Sequence, residues 1–269
     1  MGGPGNVWTN VPRGKGAYPG AVTVRLLTFN VLFKGDVRPR LRALSRLLGR
    51  YDVVCLQELM LRRNVPLVTG AFAHGGCHGR PLVRGGLVVL SRWPVGPLAF
   101  HRFPYVRPAR TEWLMRKGAQ TAVVHTPDGE LTVVNTHLSA NRDDDWSDGN
   151  RWTGVQRAEL DRLTGIITAT AGPLAVVGDL NLPPDSALFR GFLAASGLTD
   201  TRAGESGPTY RPTPSWPAPP ALDHVLTRGL TARTRLVFQD DVRLADGRPA
   251  FLSDHYGIAA DLTTPGTSW

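Results

Sequence analysis

Apolar positions along this chain come in short runs closed by turn residues, the pattern of a sheet with intervening helices. Residues 174–177 form an unbroken apolar run that predicts a buried strand. Gly178 ends it, and Asp179 and Asn181 follow one residue apart. While the chain stays extended, that spacing points both side chains the same way, where they can face one metal-bound phosphate. Residues 22–30 alternate and run apolar as a first core strand ending on Asn30, and residues 52–57 make a second that exits at Glu58. Residues 38–48 place Leu41, Leu44, Leu47 and Leu48 at helical spacing, which predicts a helix packed on the sheet. A third strand over 85–91 is stopped by Arg92-Trp93-Pro94, and residues 121–126 and 131–137 pair as a hairpin across Pro127-Asp128-Gly129, the second arm ending on His137. Helices are predicted from 155 to about 171 and over 186–196, and short strands at 222–226 and after the Asp254-His255 pair.

The stretches between are less regular. Residues 59–82, with His74 and His78 among glycines, read as a mobile surface loop rather than a metal site, since no partner ligands stand at a recognised spacing. Asp143, Asp144, Asp145 and Asp148 lack the EF-hand spacing and read as a solvated loop. Residues 98–118 interleave arginines with aromatics, which suits either base stacking with phosphate contact or amphipathic cover for a sheet edge. Residues 207–220, dense in proline, make an extended loop, and residues 1–20, rich in Gly and Pro, a flexible lead-in. No repeat or composition shift divides residues 21–269, which read as one domain.

Composition narrows the class. With 269 residues, 42% of them apolar, the chain can bury a sizeable core. The net charge of +9 suits an anionic partner, whether nucleic acid, a membrane surface or a phosphorylated small molecule. Lys15, Lys34 and Lys117 are the only lysines, a bias toward arginine that genomic base content can produce without selection for binding. Cys55 lies inside an apolar run and is expected to be a buried thiol, and with Cys77 it forms no zinc spacing. No run approaches the roughly 18 apolar residues of a membrane span, and the N-terminus lacks a signal peptide's apolar core. A soluble protein is expected, with the compartment, cytoplasmic or exported, left open.

Asn30, Glu58, His137, Asp179 and Asn181 each close a predicted apolar strand, while Asp223 and Asp254-His255 border two more, so one end of a sheet sandwich can gather them all. In this order the stretches Thr28-Phe29-Asn30-Val31, Leu56-Gln57-Glu58, Thr136-His137-Leu138, Gly178-Asp179-Leu180-Asn181, Leu222-Asp223 and Ser253-Asp254-His255 resemble the endonuclease/exonuclease/phosphatase superfamily, the magnesium-dependent enzymes related to deoxyribonuclease I. Asn30-Val31-Leu32-Phe33, residues 86–94, Lys117-Gly118-Ala119 and residues 136–140 look most like its neutral sphingomyelinase branch.

The resemblance implies an α/β fold, a four-layered αββα sandwich of two packed mixed β-sheets flanked by helices, with 21–269 as the catalytic domain. It implies a Mg2+-dependent phosphodiesterase of the sphingomyelinase C type, with Mn2+ or another divalent cation able to substitute and water attacking in line. A nuclease, or a phosphatase or pyrophosphatase acting on a small soluble metabolite, is the alternative. The implied substrate is thus a phospholipid headgroup, a nucleic acid or a phosphorylated metabolite, with transient membrane contact and no obligate protein partner. Glu58 would hold the metal, supported by Asn30 and Asp254. His255 would be the general base with Asp223 behind it, Asp179 would orient the water, and Asn181 and His137 would donate to phosphoryl oxygens. Lys117 would contact the phosphate. The sequence departs from the secreted bacterial sphingomyelinases at residues 239–251, short and polar where those carry an aromatic-tipped hairpin, so Trp146, Trp152 or Trp216 would have to anchor the protein on lipid, if none is ordinary loop packing.

Overall fold

The computed structural model describes residues 6–9, 22–205 and 207–264. Seven strands form one sheet in the order β1 (Asn6–Thr9), β4 (His74–Cys77), β5 (Val88–Ser91), β3 (Val53–Gln57), β2 (Val24–Asn30), β15 (Gly257–Thr263) and β12 (Thr231–Val237). Six form the other: β10 (Thr199–Asp200), β11 (Asp223–Arg228), β9 (Leu174–Asp179), β8 (Gly129–His137), β7 (Gly118–Thr126) and β6 (Val95–Arg102). Each sheet is mixed, its single parallel pair being β2–β3 in the first and β8–β9 in the second.

Alternation along the strands builds the layers. Val24 and Leu26, Val53 and Cys55, and Val89 meet Val133, Ala175, Val177 and Val225 between the sheets. The opposite faces of the same strands take helices: Leu27, Phe29 and Leu56 pack under Leu41, Leu44 and Leu48 of α1 (Val37–Leu48). Val134, Val176 and Leu226 pack under Leu160, Leu163 and Ile167 of α3 (Arg151–Thr168) and Phe189 and Phe192 of α4 (Ala187–Ser196). Asn150 and Ser186 cap α3 and α4 by accepting from Trp152 N and Phe189 N. The result is the predicted four-layered sandwich, and both cysteines are buried free thiols.

Two expectations need correction. Residues 59–82 are not a surface loop: β4 pairs with β5, and His74 and His78 are buried, because the glycines of His-Gly-Gly-Cys let neighbouring groups pack against the backbone, Trp8 against Gly75 among them. Residues 239–251, expected to be short and polar where relatives carry an aromatic tip, pair as a small hairpin, β13 (Val242–Arg243) with β14 (Pro249–Ala250), whose tip at Asp246 and Gly247 is polar. Of the expected N-terminal lead-in, Asn6–Thr9 instead adds the edge strand β1, and the rest lies outside the described residues.

Candidate active site

The same alternation that makes the inter-sheet core carries it into polar chemistry at one end. Asn30 follows Leu26 and Thr28 on the inner face of β2, and Asp179 follows Ala175 and Val177 on that of β9. His137 and Asp223 stand likewise on β8 and β11, in register with one another, His137 opposite Asp179 and Asp179 opposite Asp223. Where the hydrophobic layer runs out, the strand ends present a cluster of carboxylates, amides and imidazoles.

Two glycines permit the crowding. Gly178, at φ +139°, lies so close to β8 that a Cβ there would fall 1.9 Å from Thr136 O. Gly86, at φ +67°, lets the backbone of Glu58 approach, where a Cβ would stand 2.7 Å from Glu58 Cα. Glu58 itself has a left-handed φ of 62°, a strained conformation for a non-glycine residue that turns its side chain off the strand.

These groups surround a cleft of about 350 Å³ lined by Glu58, Lys117, His137, Asp179, Asn181, Asp254 and His255, with Phe33, Trp146, Tyr210 and Trp216 as its aromatic walls. Asn30 and Asp223 are buried and touch lining residues. Asn30 Nδ2 donates to Asp179 Oδ2 at 3.0 Å, and Asp223 Oδ2 accepts from His255 Nδ1 at 2.8 Å and from Thr209 Oγ1 at 2.7 Å. His255 Nε2 is 3.6 Å from Asp179 Oδ2, and the Tyr210 ring stands edge-on to the imidazole at 5.0 Å. Burial lowers the proton affinity of His255, but the Asp223 and Asp179 carboxylates outweigh it and carry the imidazole up to about 10. Burial and the nearby Asp223 charge push Asp179 up to about 7. Asp179, Asp223 and His255 offer three donor atoms within 4.8 Å of one another, a spacing that by distance alone suits a metal. The Nδ1–Asp223 hydrogen bond already engages that ring nitrogen and leaves Nε2 as the one facing Asp179.

Lys117 and His137 are placed differently from expectation. The buried Lys117 ammonium donates to Glu112 Oε2 at 2.8 Å, Leu138 O at 2.7 Å and His137 Nε2 at 2.8 Å, so its three N–H groups are all engaged. Burial, reinforced by the Lys117 and His255 charges, keeps His137 well below its ordinary range and therefore neutral. Its Nε2 accepts from Lys117, the proton sits on Nδ1, and Nδ1 is buried without a partner. The 3.4 Å approach of Nε2 to Asp179 is thus no ion pair, and His137 gives no hydrogen bond from that nitrogen in this arrangement. Burial also works against the Glu112 charge, but Lys117 and Arg142 more than offset it and hold the carboxyl below its ordinary range.

Several residues that build the site were not singled out by sequence. Gln156 Nε2 on α3 bridges Ser139 O at 2.9 Å and Asn181 O at 2.8 Å, tying together the loops that leave β8 and β9. One turn on, Glu159 accepts from Ser139 N at 2.8 Å and Ser139 Oγ at 2.6 Å. Arg40 on α1, also buried, donates to Val31 O, Leu32 O, Lys34 O and Leu252 O, which joins the loop after Asn30 to the segment before Ser253-Asp254-His255. Arg211 holds that segment from the other side through Ser253 O at 2.8 Å. The signal in the sequence was a polar residue in register with the apolar stripe: Arg40 with Leu44 and Leu48, and Glu159 with Leu163 and Ile166. Of the tryptophans considered as lipid anchors, Trp152 is buried, while Trp146 donates Nε1 to Asn181 O at 3.0 Å and Trp216 packs 5.3 Å from Tyr210. The latter two are therefore cleft walls.

The model of the endonuclease/exonuclease/phosphatase family matches residues 27–255 of the chain. No curated protein matches it by sequence. Among solved structures, sphingomyelinase C from Streptomyces griseocarneus is 19% identical with a TM-score of 0.65, covering 89% of this chain and 99% of that one. A beta toxin variant from Staphylococcus aureus with bound magnesium ions is 16% identical with a TM-score of 0.70, over 89% and 99%. Truncated TDP2 from Caenorhabditis elegans is 18% identical with a TM-score of 0.65, over 90% and 98%. At these identities the likeness establishes the fold.

Proposed function

The chain belongs to the endonuclease/exonuclease/phosphatase family, whose members cleave phosphoester bonds, and from that premise we propose that it is a Mg2+-dependent phosphodiesterase of the sphingomyelinase type. The observation that carries the reading is the His255–Asp223 pair at 2.8 Å, opening on a cleft whose carboxylates Glu58 and Asp254 have no cationic partner among the described residues. Among the described residues the Asp254 carboxylate accepts only from Tyr210 OH and Ser253 Oγ, and that of Glu58 from Phe33 N. Unneutralised carboxylate oxygens beside a buried amide are the donor set a hard divalent cation prefers. Glu58, with Asn30 and Asp254 in support, would hold it, and the bound ion would polarise a phosphoryl oxygen and lower the proton affinity of His255.

His255 Nε2 takes the proton of the attacking water. Asp223 fixes the Nδ1–H tautomer and stabilises the imidazolium that results. Asp179, held by Asn30 and by Asn181 N, stands beside Nε2 to orient the water. Asn181 gives one Nδ2 hydrogen to Leu138 O and keeps the other for a phosphoryl oxygen. For Lys117 to reach a phosphate it would exchange one of its three hydrogen bonds, and Glu112 is positioned to retain it.

The walls favour a headgroup over a polynucleotide. Lys117 and Arg142, two of the cations lining the cleft, are both committed to Glu112, while Trp146, Tyr210 and Trp216 offer aromatic faces beside Asp144 and Asp254. That combination suits a phosphodiester whose alcohol bears a cationic group. Turnover by wild type and His255→Ala would be compared on sphingomyelin in mixed micelles, plasmid DNA, a nucleotide pyrophosphate and simple phosphomonoesters, each with and without EDTA. Phosphocholine release that needs both the cation and His255 supports the reading; nicking of DNA with the same dependence replaces it with a nuclease, and turnover of only small esters with a metabolic phosphatase.

A further inference from the structure

Between β6 and β7 the chain makes an excursion that includes the short helix α2 (Arg110–Leu114), and this excursion exposes Tyr105 (47%), Trp113 (38%) and Leu114 (61%). Tyr105 and Trp113 pack together with ring centroids 5.5 Å apart, and Leu114 follows Trp113 at the end of the helix, so the excursion presents an exposed apolar ridge. Its neighbours are cations: the Arg102 guanidinium lies 4.1 Å over the Trp113 ring, Arg84 and Arg116 are close enough to act on Arg102, and Arg107 belongs to the same excursion. None of these four arginines forms an ion pair among the described residues, whereas Lys117 and Arg142 on the cleft side of the same excursion are both paired with Glu112. Like charges gathered beside exposed aromatic surface cost free energy that an anionic partner relieves. The ridge also adjoins the catalytic cleft, because Thr111, Glu112 and Met115 of the same excursion line it.

We propose that this ridge is a docking surface for anionic phospholipid membranes, with Trp113, Tyr105 and Leu114 seated at the headgroup level and the arginines against lipid phosphates. Trp and Tyr favour that interface, and each basic residue near an anionic leaflet adds attraction. A nucleic acid fits less well: Arg102 already covers one face of Trp113, Tyr105 is tilted 57° to it, and Leu114 has no π face on which a base could stack. The small β13–β14 hairpin has a polar tip, and the nearby Phe251 ring lies under Arg211 at 3.8 Å. Docking through α2 brings the cleft mouth to the bilayer by a different edge of the molecule.

The test is co-sedimentation of the full chain with vesicles of phosphatidylcholine, with or without phosphatidylserine, and needs no turnover, so it is independent of the proposed activity. Wild type should bind the phosphatidylserine vesicles in a salt-sensitive manner. Arg107→Gln with Arg116→Gln should weaken that binding about twenty-five-fold, from about fivefold per charge. Trp113→Ala with Leu114→Ser should weaken it at least about tenfold. Leu114→Trp should strengthen it, which separates loss of docking from damage to the fold. Turnover of a soluble phosphodiester should be the same in all of them. Vesicle binding that is absent in wild type, or unchanged in both double variants, overturns the proposal. So does retention on a DNA oligonucleotide that the same substitutions abolish while vesicle binding persists.

Discussion

Glu159→Gln isolates one buried charge that shapes the site from behind. The carboxyl is 3% exposed and accepts two hydrogen bonds from Ser139, yet burial outweighs them and pushes it from an ordinary value near 4.5 up to about 7. A carboxyl whose proton affinity is higher folded than unfolded favours the fold fully below about pH 4.5, and that contribution is lost as pH rises through about 7. At about 1.4 kcal/mol per unit the loss is about 3 kcal/mol, complete above pH 7. Glutamine keeps an acceptor for Ser139 and does not titrate. The assay is urea unfolding of both proteins across this window, with stability taken by linear extrapolation. Relative to Glu159→Gln, wild type should lose about 3 kcal/mol between pH 4.5 and 7 and hold a constant difference above. Both proteins carry Asp179 and His255, so those titrations cancel. Parallel stability curves across the window would refute the reasoning.

Other outcomes follow from the same geometry. Arg40→Met leaves four carbonyls without their donor and should cost about 3 kcal/mol or more in thermal or urea unfolding; a midpoint within error of wild type would show that water replaces the guanidinium. Gly86→Ala puts a Cβ 2.7 Å from Glu58 Cα, so divalent-cation affinity measured by calorimetry should fall together with stability, by about 2 kcal/mol for the latter. Asp223→Asn removes the charge that most raises His255, so the acid limb of the kcat profile should move to lower pH while the rate falls between about a hundredfold and ten-thousandfold. An unshifted limb would exclude His255 as the titrating base. Removing divalent cations with EDTA should abolish turnover and leave the far-UV circular dichroism unchanged, because the sandwich is held by its three apolar layers and not by the site.

Much of this molecule is written in local periodicity. Strands β3 and β9 are legible because each is a run dominated by apolar residues and buried throughout, β2 because its positions alternate and run apolar to Asn30, and α1 and α3 because their leucines recur on one face. Strand exits followed, since a polar residue closing a buried strand must lie where the core ends. That placed Asn30, Glu58, His137, Asp179, Asn181, Asp223 and His255 at one end of the sandwich before any contact was known. What the chain's order could not convey is burial decided by neighbours distant in sequence. β4 has no apolar alternation and is buried because β1 and β5 enclose it. Arg40 and Glu159 stand in register with the apolar stripes of their helices, but which loop carbonyls and amides they and Gln156 meet is decided only by packing. Lys117 looked free for a phosphate, and only the approach of α2 brings Glu112 to it, commits its last proton to His137 and so sets that imidazole's tautomer. Hydrophobic period is a property of adjacent residues, whereas a hydrogen bond between buried groups exists only once tertiary packing has brought both to the same place and excluded the water that would otherwise satisfy them.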